Sequence, residues 1–210
     1  QHFEADPIRI SLRSATAFSK SGANLYLRKP GNPVRFIALT GPESNSNFIV
    51  IKDTFIAKGN WEGIYYECAL SLSEKSRSWQ WSVSIKNNTY DTVKLDLIYH
   101  QDVGLKAITD ALINEYYVSQ YLERRILEDK KYGAVICCRQ NMKESTGNPW
   151  LMIACKNKAI SASVDGMQFY GKTFRATGIP EGLQSENSWG EYSGESSVVA
   201  LQEKPFKLAA

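Results

Sequence analysis

Three short segments combine side chains suited to handling a sugar. Asn114-Glu115-Tyr116-Tyr117-Val118-Ser119-Gln120-Tyr121 sets acid and amide groups among flat rings, and Arg139-Gln140-Asn141 closes an apolar run with three polar residues. Tyr99-His100-Gln101-Asp102-Val103-Gly104 ends an alternating stretch at a glycine, which permits a sharp exit. Aromatic rings cover the C–H faces of a pyranose, while planar amides and carboxylates bind its hydroxyls in pairs. On this reading Gln101, Asp102, Arg139 and Asn141 are candidate substrate contacts. The competing reading is strand-end capping by internally satisfied polar groups, and residue type alone leaves both open.

Covalent and metal chemistry find little support. His2 and His100 are the only imidazoles, so a Ser-His-Asp triad or a His-based metal site is not expected. Cys68, Cys137, Cys138 and Cys155 lack C-x-x-C spacing. Adjacent Cys137 and Cys138 would face opposite sides of a strand and could not easily share an ion. Free buried thiols are expected, which suits a reducing cytoplasm. No segment resembles a phosphate-cradling glycine loop. Paired carboxylates would be invisible, since any two of 22 acids could converge. No catalytic residue, metal or cofactor is assigned.

These segments need elements to hold them, and the clearest are strands. Ile64, Tyr66, Cys68, Leu70 and Leu72 alternate with polar or small residues, as do Trp79, Trp81, Val83 and Ile85, then Val93, Leu95, Leu97 and Tyr99. Short turns such as Asn87-Asn88-Thr89 join them, which predicts an antiparallel meander with one face in a core. Leu105 to Asn114 reads as a short helix or irregular crossing. Residues 116–126 read as a strand, followed by a hairpin turn at Asp129-Lys130-Lys131-Tyr132-Gly133. Residues 134–138, 150–155, 160–164, 168–170 and 197–201 read as further strands. Residues 11–33 read as loop or short edge strands, and 178–196 as a long functional or mobile connection. The predicted fold is an all-β, large antiparallel β-sandwich of the super-sandwich type, with at most short helices. All 210 residues fit one such domain, and 43% hydrophobic content is enough for its core.

The net charge of +3, from 25 basic and 22 acidic residues scattered along the chain, does not point to nucleic acid. No apolar run approaches the ~20 residues of a membrane span. The start at Gln1 carries no initiator methionine or leader, so the expectation is a piece of a longer protein without a targeting signal.

The sequence also resembles a known family. Tyr99 to Gly104, Asn114 to Tyr121, Cys138-Arg139-Gln140-Asn141, Asn148-Pro149-Trp150, Asp165-Gly166-Met167-Gln168-Phe169-Tyr170-Gly171, Arg175-Ala176-Thr177-Gly178 and Leu201-Gln202 run in an order similar to the N-terminal β-sandwich of cellobiose-phosphorylase-like glycoside phosphorylases. The nearest branch acts on β-1,2-glucans. It holds the 1,2-β-oligoglucan (sophorose-type) phosphorylases and the phosphorylase-like part of cyclic β-1,2-glucan synthase. The match runs from about Phe36 to the C-terminus.

The resemblance implies an (α/α)6 barrel after the sandwich, with a catalytic Asp in that barrel acting as general acid. Inorganic phosphate, a co-substrate, attacks the anomeric carbon with inversion and yields α-glucose 1-phosphate and a shortened glucan. It further implies that Ser119-Gln120-Tyr121 takes the place of a Gln-Arg pair near the acceptor subsites, with Tyr121 where a relative has Arg. Tyr117, Gln120 and Tyr121 would then line the glucan path, Tyr121 stacking where Arg would donate hydrogen bonds. The implied partners are a β-glucan oligosaccharide and the rest of the same polypeptide, with a homodimer left open. The implied location is cytoplasmic, or membrane if the parent is the synthase.

Two rivals remain at this level. A stand-alone carbohydrate-binding module would need an exposed aromatic platform. Trp61 and Trp189, read as loop residues, suit it better than Trp79 and Trp81, which share an apolar strand face, and Trp150 is a further anchor. A structural sandwich without sugar contact is the other.

Overall fold

The computed structural model describes every residue except 1–3, 6, 14–21, 188–189 and 193–195. The first half of the chain forms β1 (Glu4–Ala5), β2 (Ile8–Arg9), β3 (Asn24–Lys29), β4 (Arg35–Ala38), β5 (Asn47–Ile51), β6 (Thr54–Trp61), β7 (Ile64–Leu72), β8 (Trp79–Asn87), β9 (Val93–Asp102) and β10 (Lys106–Ala107). Two short helices follow, α1 (Ile108–Ile113) and α2 (Glu115–Gln120), then β11 (Leu122–Asp129), β12 (Gly133–Gln140), β13 (Trp150–Ala154) and β14 (Ala159–Ser163). The chain closes with α3 (Gly166–Tyr170), α4 (Phe174–Thr177), α5 (Glu181–Gln184), β15 (Val198–Glu203) and β16 (Phe206–Leu208).

Strands dominate, as the alternation predicts, and they form an all-β sandwich. A nine-stranded sheet runs β11-β12-β14-β15-β9-β3-β4, with β13 added to β12 and β16 to β9. A four-stranded meander, β5-β6-β7-β8, lies over the β3–β4–β9 part of it. Leu25, Leu27, Leu95, Ile64, Tyr66 and Cys68 fill the space between. Because side chains alternate across a strand, Tyr26 and Ile98 point the other way. There they meet Phe169, Leu183 and Ala200, so α3 and α5 cover the second face of the large sheet. A third core, around Ile136, Cys138, Leu151, Val164, Val199 and Leu201, sits under β11–β15.

Four local expectations need correction. Residues 115–120 form α2, and the strand starts only at Leu122. The Asn114 side chain accepts from Tyr117 N at 3.0 Å and caps that helix, overriding the β preference of its tyrosines and valine. Residues 168–170 belong to α3, which Asp165 caps through Met167 N at 3.1 Å. The polar segment 11–33 contains β3, an interior strand between β9 and β4. Its polarity is absorbed inside: Arg28 makes two 2.7 Å bonds to Asp96. Finally, Trp61 ends β6, half-buried against the core, with Lys29 Nζ 4.6 Å from its ring centroid. Trp189 lies outside the described residues.

Candidate functional site

The site is built on the outer face of β11, β12 and β13. Register sets Glu123 beside Arg139 and Arg139 beside Trp150, and in the next row Arg125 beside Cys137 and Cys137 beside Met152. These are cross-strand neighbours on one face, within side-chain reach of one another. Their partners Leu122, Cys138 and Leu151 face the core. The result is a shallow cavity of about 200 Å³ between Glu123, Arg125, Cys137, Arg139, Trp150 and Met152. Trp150 is 71% exposed at its rim.

Helix α2 extends this surface. Asn141 N donates to Tyr121 O at 2.9 Å, so the ladder continues one step and brings Tyr121 and Asn141 together. Tyr117, one helical turn before Tyr121, packs its ring at a centroid distance of 4.9 Å and an angle of 58°. Hydrogen bonding to Tyr117 holds the Tyr121 phenol above its usual range.

One buried side chain locks these parts in register. Gln140, on the inner face, donates from Nε2 to Gly104 O at 3.0 Å and to Val118 O at 3.1 Å. Its Oε1 accepts from Met142 N at 3.0 Å. Its backbone N–H donates to Pro149 O at 2.8 Å, and its carbonyl accepts from Asn148 Nδ2 at 3.0 Å. Gln140 therefore ties α2, the exit from β9 and the β12–β13 loop to one strand end. Tyr117, Tyr121, Asn141 and Trp150 are thereby held in fixed relation.

The polar groups on this surface divide into committed and free. Arg125 pairs with Glu191 at 2.6 Å and Glu123 at 3.3 Å, which raises its pKa, with Glu191 the larger cause. Glu191 also accepts from Ile126 N at 3.0 Å, and its carboxyl is held below the usual range chiefly by that bond and then by Arg125. Among the described residues, the exposed side chains of Gln120, Arg139 and Asn141 make no hydrogen bond or ion pair, and so can meet a ligand.

Five of the seven expected contacts thus belong to one surface: Tyr117, Gln120 and Tyr121 from α2 and its cap, Arg139 and Asn141 from the end of β12. Gln101 and Asp102 do not join them. Both are buried at the end of β9. Gln101 accepts from Tyr99 OH, while its own amide nitrogen has no partner among the described residues. Asp102 accepts from Arg13 N at 2.7 Å and from Gly22 N, and burial raises its pKa despite those bonds. Asp102 fits the capping reading, while Gln101 meets it only through its accepting oxygen. Trp150, from sequence only an anchor of the rival binding module, lines this surface, and so does Met152, which no sequence signal marks. The sequence signal for Trp150 is an aromatic residue opening a strand after Asn148-Pro149, and the register beside Arg139 comes from the fold. Among the described residues no group of three His, Cys, Asp or Glu is placed to hold a metal, and no helix is long and apolar enough to cross a membrane.

An all-β sandwich that carries a shaped aromatic and polar face defines the class. The whole chain, residues 1–210, matches the family model described as SOGP N-terminal domain, and the chain belongs to that family. Over 142 residues it is 26% identical to the 1,2-beta-oligoglucan phosphorylase of Listeria innocua serovar 6a (strain ATCC BAA-680 / CLIP 11262). That stretch is 67% of this chain and 13% of the relative, so the chain corresponds to a small part of the curated protein it matches. The resemblance read from the ordered motifs therefore holds.

Proposed function

We propose that this chain is the non-catalytic sandwich domain of an inverting phosphorylase acting on β-1,2-glucooligosaccharides. Membership of the SOGP N-terminal domain family over the full 210 residues, together with the likeness to a 1,2-beta-oligoglucan phosphorylase, supports the reading. The general acid lies in a separate barrel of the same polypeptide. Phosphate enters from the opposite face of the glucosyl ring and releases α-glucose 1-phosphate. The domain's part is to shape the glucan path. Tyr117, Tyr121 and Trp150 offer ring faces, and Gln120, Arg139 and Asn141 offer uncommitted donors and acceptors. Four free cysteines support a reducing, cytoplasmic setting.

The decisive measurement is phosphate release from α-glucose 1-phosphate by the full-length protein, with sophorose as acceptor. Release that depends on sophorose is the expected result; its absence across β-linked glucose acceptors rejects the activity. In the same assay Gln120→Ala and Trp150→Ala should raise KM for oligoglucan by roughly 10-fold, the loss of ~1.4 kcal/mol. Unchanged kinetics in both folded variants would remove this surface from the glucan path. The exposure of Trp150 also favours a second reading, an autonomous carbohydrate-binding module. Titration with sophorose oligomers separates them, because only a module binds sugar tightly without the barrel.

A further inference from the structure

The two edges of the four-stranded sheet are dressed differently. β8 turns Gln80, Ser82, Ser84 and Lys86 to solvent and lays Trp81, Val83 and Ile85 on the core, one apolar face and one polar. β5 has no such division. Phe48 is 47% exposed, Ile49 44%, Val50 70% and Ile51 53%, so both faces of this edge are apolar and open. Phe48 stacks on the ring of Phe55, at a centroid distance of 5.5 Å. Among the described residues β5 pairs with β6 alone. Alternate residues of such an edge turn N–H and C=O outward, ready to pair with another strand. Edges left in water are ordinarily guarded by Lys, Pro, a bulge or extreme shortness. The five-residue run Asn47-Phe48-Ile49-Val50-Ile51 contains no Pro or charge, and its register with β6 is unbroken.

We infer that β5 is a strand-acceptor edge, covered by an uncharged extended segment of the same polypeptide from outside residues 1–210. Size selects a tethered occupant. A stable interface between free molecules uses ~20–30 residues a side, and one short strand offers far less. A segment on the same chain avoids most of the association cost because its local concentration is set by the linker, in the millimolar range for short ones. Lack of charge along β5 selects an uncharged partner, since a buried unpaired charge against Ile49 or Val50 would be costly. This inference rests on the reading of the chain as one domain of a longer enzyme.

Hydrogen–deuterium exchange of the full-length protein tests it, followed on the peptide spanning residues 47–51 at two protein concentrations. Exchange slowed throughout that peptide by at least ~100-fold relative to an unstructured chain, equally at both concentrations, is the expected result. Val50→Lys should restore fast exchange there while β7 and β8 stay protected. Fast exchange of the outward amides in the wild-type protein overturns the inference. So does protection that rises with concentration, which would assign the edge to a second copy. So does a Val50→Lys variant as protected as wild type. Activity toward sophorose is scored separately, so a protein with a covered β5 and no phosphorolysis refutes the proposed reaction alone.

Discussion

Arg28 and Asp96 show how far a polar residue type can mislead. Both are fully buried, and they meet in a two-bond fork. The remaining guanidinium donors reach Leu183 O at 3.1 Å, Ser185 O at 2.6 Å and Glu186 O at 3.3 Å. Gln202 Nε2 adds a 3.0 Å bond to Asp96. Replacing Arg28 with Met leaves a buried carboxylate and several carbonyls without their donor. Urea unfolding of that variant should show a loss of about 3–5 kcal/mol. The thiols give a pH prediction. Burial pushes Cys68 and Cys138 up to about 12, so in the fold both stay protonated at pH 8. A thiol-specific reagent at that pH should label at most Cys137 and Cys155 before unfolding. The unfolded thiols ionise near ~8.5. The stability these groups contribute is therefore complete below that value and declines as pH rises toward about 12. Of the candidate contacts, the rings and amides of residues 117–121 and 139–141 lie close in sequence, and the fold sets them on one surface. Gln101 and Asp102 have the same chemical types, and only the depth of β9 distinguishes them.

At the level of elements, periodicity was readable wherever one face met the core and the other met water. That condition holds for β7 and β8, whereas in β9 only the apolar face kept the signal, since Asp96 is buried on the other. It fails for β3, where both faces are covered and Asn24, Arg28 and Lys29 break the pattern. It fails again for α2, where a single cap outweighs the β preference of Tyr116, Tyr117 and Val118. Two tight joints test this packing. Gly133 has φ +72°, and a Cβ there would come within 2.0 Å of Ala159 O at the parallel contact of β12 with β14. Gly133→Ala should cost more than ~1 kcal/mol, measured as a lowered denaturation midpoint with unchanged m. Gln140→Leu strips three side-chain bonds, two of them buried, from the joint between α2, β9 and β12. It should cost about 1–3 kcal/mol and, in the full-length enzyme, raise KM for oligoglucan more than it lowers kcat.

On the scale of the whole molecule, sheet order scatters the chain. β15, near the C-terminus, lies between β14 and β9, and Val198 pairs with Asp102 while Gln202 pairs with Ile98. All six residues of β15 are buried. A chain stopped after residue 197 should therefore lack near-ultraviolet circular dichroism from fixed aromatics, even though β3 to β9 are all present. This ordering could not be read from local pattern, because alternation marks a strand without naming its neighbour.

The late arrival of β15 also gives the molecule a timetable. On a ribosome adding ~5–20 residues per second, roughly 5–20 s separate the emergence of β9 from that of its partner β15. Through that interval the nascent sheet carries an open apolar border, and escort by a chaperone matters most then. Synonymous changes that slow translation between residues 102 and 203 should lower soluble yield, although they leave every atom of the finished protein unchanged.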